Sequence, residues 1–200
     1  MLIANKSNAT KFSEWESFYL NSGEERKELL KEYLPKEDFK KVNTEYGRTK
    51  KDLIKIAKDF NKHLNLPLKT VYNYVYIRVI DESWIGYKRE LKAFEVLKEE
   101  CSCYNGIEVC KTEFKKDKDY SIDFEIKKDN KVILGIQLKS ITYYLSSSKG
   151  NLDAKEVNSI KQKKYKNEFK TPVLNLYIAS KEGRIVNIKT LRKYLKDNAY

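Results

Sequence analysis

A carboxylate and an amide–amine pair stand on two neighbouring apolar runs within residues 119–140, DYSIDFEIKKDNKVILGIQLKS. The first run carries Asp123, and the second ends in Gln137-Leu138-Lys139. Alternating apolar residues and β-branched side chains on both sides of a polar turn are typical of two short β-strands. Gln137 and Lys139 are two residues apart, so on a strand they project from the same face of the sheet.

The hairpin between the two strands decides whether Asp123 joins this pair. A regular two-residue turn at Asp129-Asn130 sets Asp123 opposite Ile136, on the other face of the sheet. A three-residue connection or one β-bulge sets Asp123 opposite Gln137 instead. A joint role for the three side chains therefore predicts the longer connection or a bulge.

These residue types suit the hydrolysis of phosphodiester bonds with a divalent cation. Mg²⁺ prefers hard oxygen ligands, which the carboxylate of Asp123 and the amide oxygen of Gln137 can provide. A bound metal activates water and neutralises transition-state charge, and Lys139 can stabilise the developing negative charge or help to deprotonate the water. Because Gln137 is neutral, Glu90 on the preceding predicted helix is a candidate for the missing negative charge.

An ordinary structural role is also open for each of these residues. A lysine at the end of a strand commonly extends its ammonium group to solvent. Asp123 can be a solvent-facing strand residue, and Asp119 or Glu125 is equally eligible as the acidic member of the set. The combination and order of the residues, rather than any one of them, favours the catalytic interpretation.

The composition restricts the other classes of protein. The 200-residue chain has a formal net charge of +12 and a single histidine, His63. The charge favours a polyanion such as nucleic acid, or reflects lysine used as a general solubiliser. One histidine without a nucleophile motif excludes Ser-His-Asp and Cys-His hydrolases, and the chain has no glycine-rich phosphate-binding motif.

The three cysteines, Cys101, Cys103 and Cys110, are expected to be reduced thiols without a nearby fourth ligand for zinc.

The order of the predicted elements indicates an α/β fold with a mixed central sheet flanked by helices. A helix is predicted over 13–34 with a break near Ser22-Gly23, and a second over 49–63 with Thr49 as its N-cap. Helix 49–63 is amphipathic, with Leu53, Ile56, Ala57 and Phe60 on one face, whereas 68–80 is compatible with a helix or a strand. Further segments are a helix over 81–100, strands at 107–114, 120–127 and 131–144, a loop over 146–153, a basic helix over 154–169, a strand over 173–179, a strand over 184–188 and a helix over 189–198.

The order helix, Asp123, polar-x-Lys strand, helix and strand resembles the PD-(D/E)-x-K nuclease superfamily over residues 81–180. Gln137-Leu138-Lys139 is similar to the Gln-x-Lys variant of Mrr-type and some type II restriction endonucleases. Two positions depart from the family pattern, because Ile122 stands where the name has proline and Gln137 replaces the usual acid.

The resemblance implies a restriction-endonuclease-like core and a role for each motif residue. Asp123 and Gln137 would bind Mg²⁺, and Leu138 would lend its carbonyl oxygen. Lys139 would be the catalytic lysine. Glu90, in the sequence GYKRE, matches the glutamate on the first core helix that often assists in metal binding and catalysis.

The N-terminal part, residues 1–80, is expected to form a helical subdomain beside a nuclease core over 81–200. It resembles a helix-turn-helix, with Ala57 against a second helix that begins near Leu68, although the connection is longer than usual. A helical subdomain that only packs on the core is the alternative. Base-edge contacts are expected from Lys69, Thr70, Tyr72 and Asn73, and phosphate contacts from Ser147, Lys149, Lys155 and Lys163, with Lys161, Lys164 and Lys166 beside them.

The sequence thus predicts a Mg²⁺-dependent type II restriction endonuclease that cuts double-stranded DNA as a homodimer. The alternatives are a structure-specific nuclease such as a junction resolvase, and a non-catalytic helix-turn-helix regulator. No run of eighteen apolar residues predicts a membrane span. The first residues lack a signal-peptide core, so a cytoplasmic protein is expected.

Overall fold

The computed structural model describes residues 7–33, 48–179 and 183–198. The chain divides into two compact units, Met1–Tyr87 and Lys88–Tyr200. Among the helices in these described ranges, none has the length and apolar character that crossing a membrane requires.

The first unit is helical. Its elements are α1 (Phe12–Asn21), α2 (Gly23–Tyr33), α3 (Lys50–Asn61), α4 (Leu68–Tyr76), a π-helical turn (Ile77–Asp81) and the start of α5 (Glu82–Ser102). The predicted break near Ser22-Gly23 is confirmed, and residue 34, the predicted end of that helix, lies outside the described residues. Thr49 is the N-cap of α3 as predicted, since its Oγ1 accepts a hydrogen bond from the Asp52 amide at 3.2 Å.

Apolar contacts between α3 and α4 decide the conformation of segment 68–80, which is helical. Leu53 and Ala57 on α3 are fully buried in a cluster that includes Val71 and Val75 on α4. Val71 and Val75 are four residues apart, so a helix places both on the buried face, and this burial overrides their strand propensity.

Phe60 departs from the prediction that it shares the buried face of α3. Its side chain is 50% exposed, and its ring stacks on Tyr74 with the centroids 6.2 Å apart. Phe60 lies in the last turn of α3, where the stacking partner comes from the exposed side of α4 rather than from the core.

The second unit is a four-stranded mixed sheet flanked by helices, as predicted. The strand order is β1-β2-β3-β4, with antiparallel pairing between β1, β2 and β3 and parallel pairing between β3 and β4. Its elements are the remainder of α5, then β1 (Ile107–Lys111), α6 (Phe114–Tyr120), β2 (Phe124–Lys128), β3 (Lys131–Ser140), α7 (Ile141–Leu145), α8 (Lys149–Phe169), β4 (Val173–Ile178) and α9 (Ile188–Asn198).

Several predicted strand boundaries are wrong. Residues 114 and 120, predicted as strand ends, are instead the first and last residues of helix α6, which also contains the unassigned residues 115–119. The strand predicted over 131–144 ends at Ser140, because the Ser140 hydroxyl accepts a hydrogen bond from the Tyr143 amide at 3.1 Å and caps α7. The strand predicted over 184–188 is reduced to one isolated bridge between Ile185 and Ile178. Helix α8 begins at Lys149, inside the predicted loop.

One face of the sheet carries the hydrophobic core. Apolar side chains from all four strands meet α5 and α9 on this face, and each large buried side chain contributes about 1.5–3 kcal/mol. The cluster includes Ala93, Leu97, Phe124, Ile126, Leu134, Ile136, Leu176, Leu191 and Leu195.

The opposite face packs against α8 through a buried polar group. Tyr165 on α8 donates a hydrogen bond to Glu125 Oε1 at 2.6 Å, and Lys116 Nζ lies 2.7 Å from the same oxygen. Gly135 lies beneath the Tyr165 ring, where a Cβ atom would approach Cε1 to 3.0 Å. Glycine at this position therefore lets α8 lie close to β3.

The hairpin between β2 and β3 has a two-residue turn. Asp129 and Asn130 have φ angles of 49° and 66°, and Lys128 pairs with Lys131. Two consecutive residues with positive φ match the right-handed twist of a hairpin, and aspartate and asparagine tolerate this conformation.

A β-bulge in β3 then shifts the register. Ile126 pairs with Leu134 while Lys127 pairs with Val132, so Ile133 is the additional residue. Beyond the bulge, Phe124 pairs with Ile136. Asp123, the residue before Phe124, therefore lies opposite Gln137. The bulge that a joint role of Asp123, Gln137 and Lys139 predicts is therefore confirmed.

We expect Gly135→Ala to destabilise the second unit by about 1–3 kcal/mol, because the added methyl group overpacks the contact with Tyr165 and Ile122. Urea unfolding followed by circular dichroism measures the free energy of unfolding. The control is Gly150→Ala in α8, where an added Cβ meets nothing within 4 Å, and which should lose no stability. Equal unfolding midpoints for the two variants would contradict this packing.

Candidate active site

Asp123 is held at the start of β2 by backbone groups of β3. Its Oδ2 accepts a hydrogen bond from the Leu138 amide at 2.6 Å, and its own amide donates to the Ile136 carbonyl at 2.8 Å. These two bonds fix the carboxylate beside the Gln137-Leu138-Lys139 segment.

The Asp123 carboxyl group titrates near neutral pH. Burial is the main cause that raises its pKa from the ordinary 3.8 to about 7, and the nearby Asp117 and Glu90 raise it further. The hydrogen bond from Leu138 and the charge of Lys139 act in the opposite direction. A buried acid with this balance is a common feature of functional sites.

Glu90, on α5, contributes a second buried carboxyl group. Burial raises its pKa, and Lys111 opposes this effect, with Lys111 Nζ lying 3.7 Å from Glu90 Oε1. The other oxygen, Oε2, is buried and has no hydrogen-bond partner among the described residues. An unpaired buried carboxylate oxygen is costly unless a cation or a bound group compensates it.

Asp117, on α6, is an acidic neighbour that the sequence analysis missed. Burial raises the pKa of its carboxyl group, while the charges of Lys139 and Lys161 favour the ionised form. The sequence FKKDKDY, residues 114–120, contains no β-branched residue and therefore favours a helix. Only residues 114 and 120 had been predicted, as strand ends.

Lys139 lies among these acids. Burial lowers the pKa of its ammonium group, whereas Asp123 and Asp117 raise it. Its Nζ lies 5.3 Å from the centroid of the Tyr143 ring, over the aromatic face. The structure thus brings Asp123, Lys139 and Glu90 into one electrostatic neighbourhood.

The side chain of Gln137 is directed to α8 instead. Gln137 is 4% exposed, and its Oε1 accepts a hydrogen bond from Gln162 Nε2 at 2.7 Å. The same nitrogen donates to Asn175 Oδ1 on β4 at 2.7 Å. An amide oxygen has two lone pairs, so one stays free and the metal-ligand role of Gln137 remains a prediction.

The carboxylates fit a magnesium ion with few protein ligands. Within residues 7–33, 48–179 and 183–198, no three histidine, cysteine, aspartate or glutamate side chains are close enough to hold a metal ion. Mg²⁺ commonly takes one or two protein carboxylates and fills its other positions with water and phosphate oxygens. Asp123 and Glu90, with raised pKa values and an orphaned oxygen on Glu90, are a donor set of that kind.

The residues predicted to contact bases lie on α4. Lys69, Thr70 and Asn73 are exposed, and Tyr72 is half-buried with its ring 6.3 Å from that of Tyr76. The connection between α3 and α4 covers residues 62–67.

The residues predicted to contact phosphates fall into two groups. Lys155 donates to the Tyr144 and Ser146 carbonyls at 2.9 and 2.7 Å, and Lys161 donates to the Lys118 carbonyl, so both ammonium groups help to hold the chain. The exposed members are Ser147, Lys149, Lys163, Lys164 and Lys166.

Comparison with known proteins found no matching family model, no matching curated protein and no matching solved structure.

We expect Asp123→Asn to stabilise the protein at pH 8 by on the order of 3 kcal/mol, since each pKa unit corresponds to about 1.4 kcal/mol. Between pH 3.8 and about 7 the folded state holds a proton that the unfolded chain releases, so wild-type stability falls as pH rises. The gain should therefore shrink toward pH 4. Urea unfolding in EDTA at pH 8 and pH 5 measures it.

The control for this measurement is Asp153→Asn, which changes an exposed acid on α8. It should leave the unfolding free energy nearly unchanged at both pH values. A wild-type protein that is as stable as Asp123→Asn at pH 8 would show that burial of the Asp123 charge carries no cost.

Proposed function

We propose that residues 88–200 form a Mg²⁺-dependent nuclease of the PD-(D/E)-x-K type that hydrolyses phosphodiester bonds of double-stranded DNA. The observation that supports it most is the bulge at Ile133, which sets Asp123 opposite Gln137 and within electrostatic reach of Lys139. The same register also places Phe124 and Ile126 with Leu134 and Ile136 on the core face, so the support comes from the acids and the lysine that it gathers on the other face.

Asp123 and Glu90 would hold the ion, with the Leu138 carbonyl and the free lone pair of the Gln137 amide oxygen as further ligands. When bound, Mg²⁺ would supply charge neutralisation and a more acidic water molecule. The Leu138 amide keeps the Asp123 carboxylate in one orientation, because it donates to Oδ2. With its pKa about 7, Asp123 is largely ionised at pH 8.

Lys139 would face the phosphate from the same side of the sheet. Its ammonium group is half-buried and poorly hydrated, so it would interact more strongly with developing negative charge than a solvent-exposed lysine. The lowered pKa makes the ammonium proton of Lys139 easier to donate to the leaving oxygen, whereas only the neutral amine could accept a proton from the attacking water.

Exposed cations on α8 provide sequence-independent contacts to phosphates in this proposal. Lys163, Lys164 and Lys166 are solvent-exposed, and the chain carries a net charge of +12. Sequence-specific cutting as a type II restriction enzyme would require a homodimer that matches the two-fold symmetry of the target. Base contacts would then come from Lys69, Thr70 and Asn73.

We expect Lys139→Ala to lower Mg²⁺-dependent nicking of supercoiled plasmid by about 100-fold or more, because charge stabilisation in the transition state is lost. DNA binding, measured by gel shift in EDTA, should change little. Lys131→Ala is the control, since Lys131 is an exposed lysine at the other end of β3 and should keep full activity.

The outcome of the same digest separates the candidate functions. Discrete bands from linear DNA support a restriction enzyme, and cleavage of branched DNA alone supports a junction resolvase. Salt-sensitive binding without nicking under Mg²⁺ or Mn²⁺ would reject the nuclease proposal and leave a DNA-binding regulator.

Gln137→Glu tests the ligand role of that residue. An added carboxylate at a ligand position should lower the Mg²⁺ concentration for half-maximal cleavage severalfold. The control is Asn175→Asp, which puts the same charge into the same amide cluster from β4. The two variants should differ, and identical metal titrations for both variants and wild type would argue against Gln137 as a ligand.

A further inference from the structure

A polar pocket of about 280 Å³ is lined in part by Gln137 and Lys139 and extends beyond the residues of the proposed metal chemistry. Its walls come from β3, α7, α8 and β4. Lys139 is shared, since it lines this pocket and also interacts with Asp123. A group bound in the pocket would therefore lie next to the lysine that faces the phosphate.

The polar framework of the pocket is fixed by its own hydrogen bonds. Gln162 joins Gln137 and Asn175 in the amide cluster. Asn158 donates to the Tyr143 hydroxyl at 2.8 Å and accepts from the Ser121 hydroxyl at 2.8 Å. Side chains held in this way lose little conformational entropy when a ligand binds.

Other polar groups also line the pocket. They are the side chains of Gln137, Ser159 and Tyr177. The Lys139 ammonium lies over the Tyr143 ring. These groups offer donors and acceptors on a fixed frame, which is what recognition of a polar ligand requires.

Aromatic rings form another part of the wall. The rings of Tyr144 and Tyr177 have their centroids 4.6 Å apart, and Tyr143 lies beneath Lys139. Tyr144 is 54% exposed, so its ring is accessible from solvent. Tyrosine rings beside amide groups suit a flat heterocycle that both stacks and forms hydrogen bonds at its edge.

We propose that this pocket binds a single nucleobase, with the phosphate of that nucleotide toward Lys139. Amide side chains pair with the donor and acceptor edge of a base. In duplex DNA the base is held in the stack, so it must leave the stack to enter a pocket in the protein. The assignment of the adjacent phosphate as the one that is cut rests on the proposed nuclease function.

Ser159→Trp tests the proposal, because Ser159 is an exposed residue that lines the pocket. The bulky ring should fill the pocket while α8 stays folded. The matched control is Glu156→Trp, which puts the same ring on the same helix at an exposed position that does not line the pocket. Circular dichroism and thermal melting of both variants should match wild type.

Two probes distinguish a base in DNA from a free nucleotide, and both are measured in EDTA so that no cleavage occurs. The first is a fluorescein-labelled duplex with one central mismatch, compared with the fully paired duplex by anisotropy. The second is titration with the four deoxynucleoside 5′-monophosphates by calorimetry. A mismatched base costs less to extrude than a paired base, so wild type should bind the mismatched duplex about tenfold more tightly or better.

The expected result is that Ser159→Trp loses this preference and Glu156→Trp keeps it. Binding of mononucleotides alone, with the same sensitivity to Ser159→Trp, supports a nucleobase site that takes free nucleotides. Ser159→Trp binding both probes like wild type would overturn the proposal, and so would a wild-type protein that shows neither a mismatch preference nor binding of mononucleotides. Because EDTA separates binding from cleavage, a protein that never nicks DNA but shows the preference refutes the nuclease and keeps the nucleobase site.

Discussion

The additional residue in β3 is the constraint on which the candidate site depends. Asp129 and Asn130 favour a tight two-residue turn, and a regular hairpin from that turn would direct Asp123 to the face occupied by the apolar core. Ile133 interrupts the ladder once and reverses this outcome. The carboxylate, Gln137 and Lys139 then share one face, and the Leu138 amide becomes available to hold Asp123.

Two acids on the same face of the sheet, Asp123 just before β2 and Glu125 within it, are handled differently. Glu125 is compensated within the protein, because Tyr165 donates to it and Lys116 lies beside it. Asp123 is close to other acids and keeps a raised pKa, and the Oε2 atom of Glu90 has no described partner. The first arrangement stabilises the fold, whereas the second leaves negative charge that a bound cation would balance.

Local signals predicted much of the architecture. The cap at Thr49, the break at Ser22-Gly23 and the alternation of helices and strands each depend on a few adjacent residues, and all are present in the structure. The bulge was predicted as a condition for function, and the apolar alternation also requires it. After a two-residue turn, Phe124 and Ile126 share the core face with Leu134 and Ile136 only if one residue interrupts the ladder. No residue type marks Ile133 as that residue.

The remaining features depend on contacts between distant segments. Asp117 escaped prediction because it lies between two predicted strands in a stretch assigned to no element, and its importance comes from Lys139 and Lys161 elsewhere in the chain. The Gln162–Asn175 cluster that engages Gln137 likewise joins α8 to β4 across 13 positions. Phe60 fits the periodicity of a buried face but lies at the end of its helix, where tertiary packing and not periodicity decides exposure.

The position of the bulge also separates the tip of the hairpin from the rest of the sheet. Pairing from Ile126 toward Asp123 is fixed by buried side chains, whereas Lys128 and Lys131 pair beyond the irregularity, at the solvent-exposed end. Lengthening or shortening the ladder at that end would leave the register on the inner side unaltered. The tip is therefore a suitable attachment point for a fluorophore or an affinity tag, and a place where related chains can differ in length.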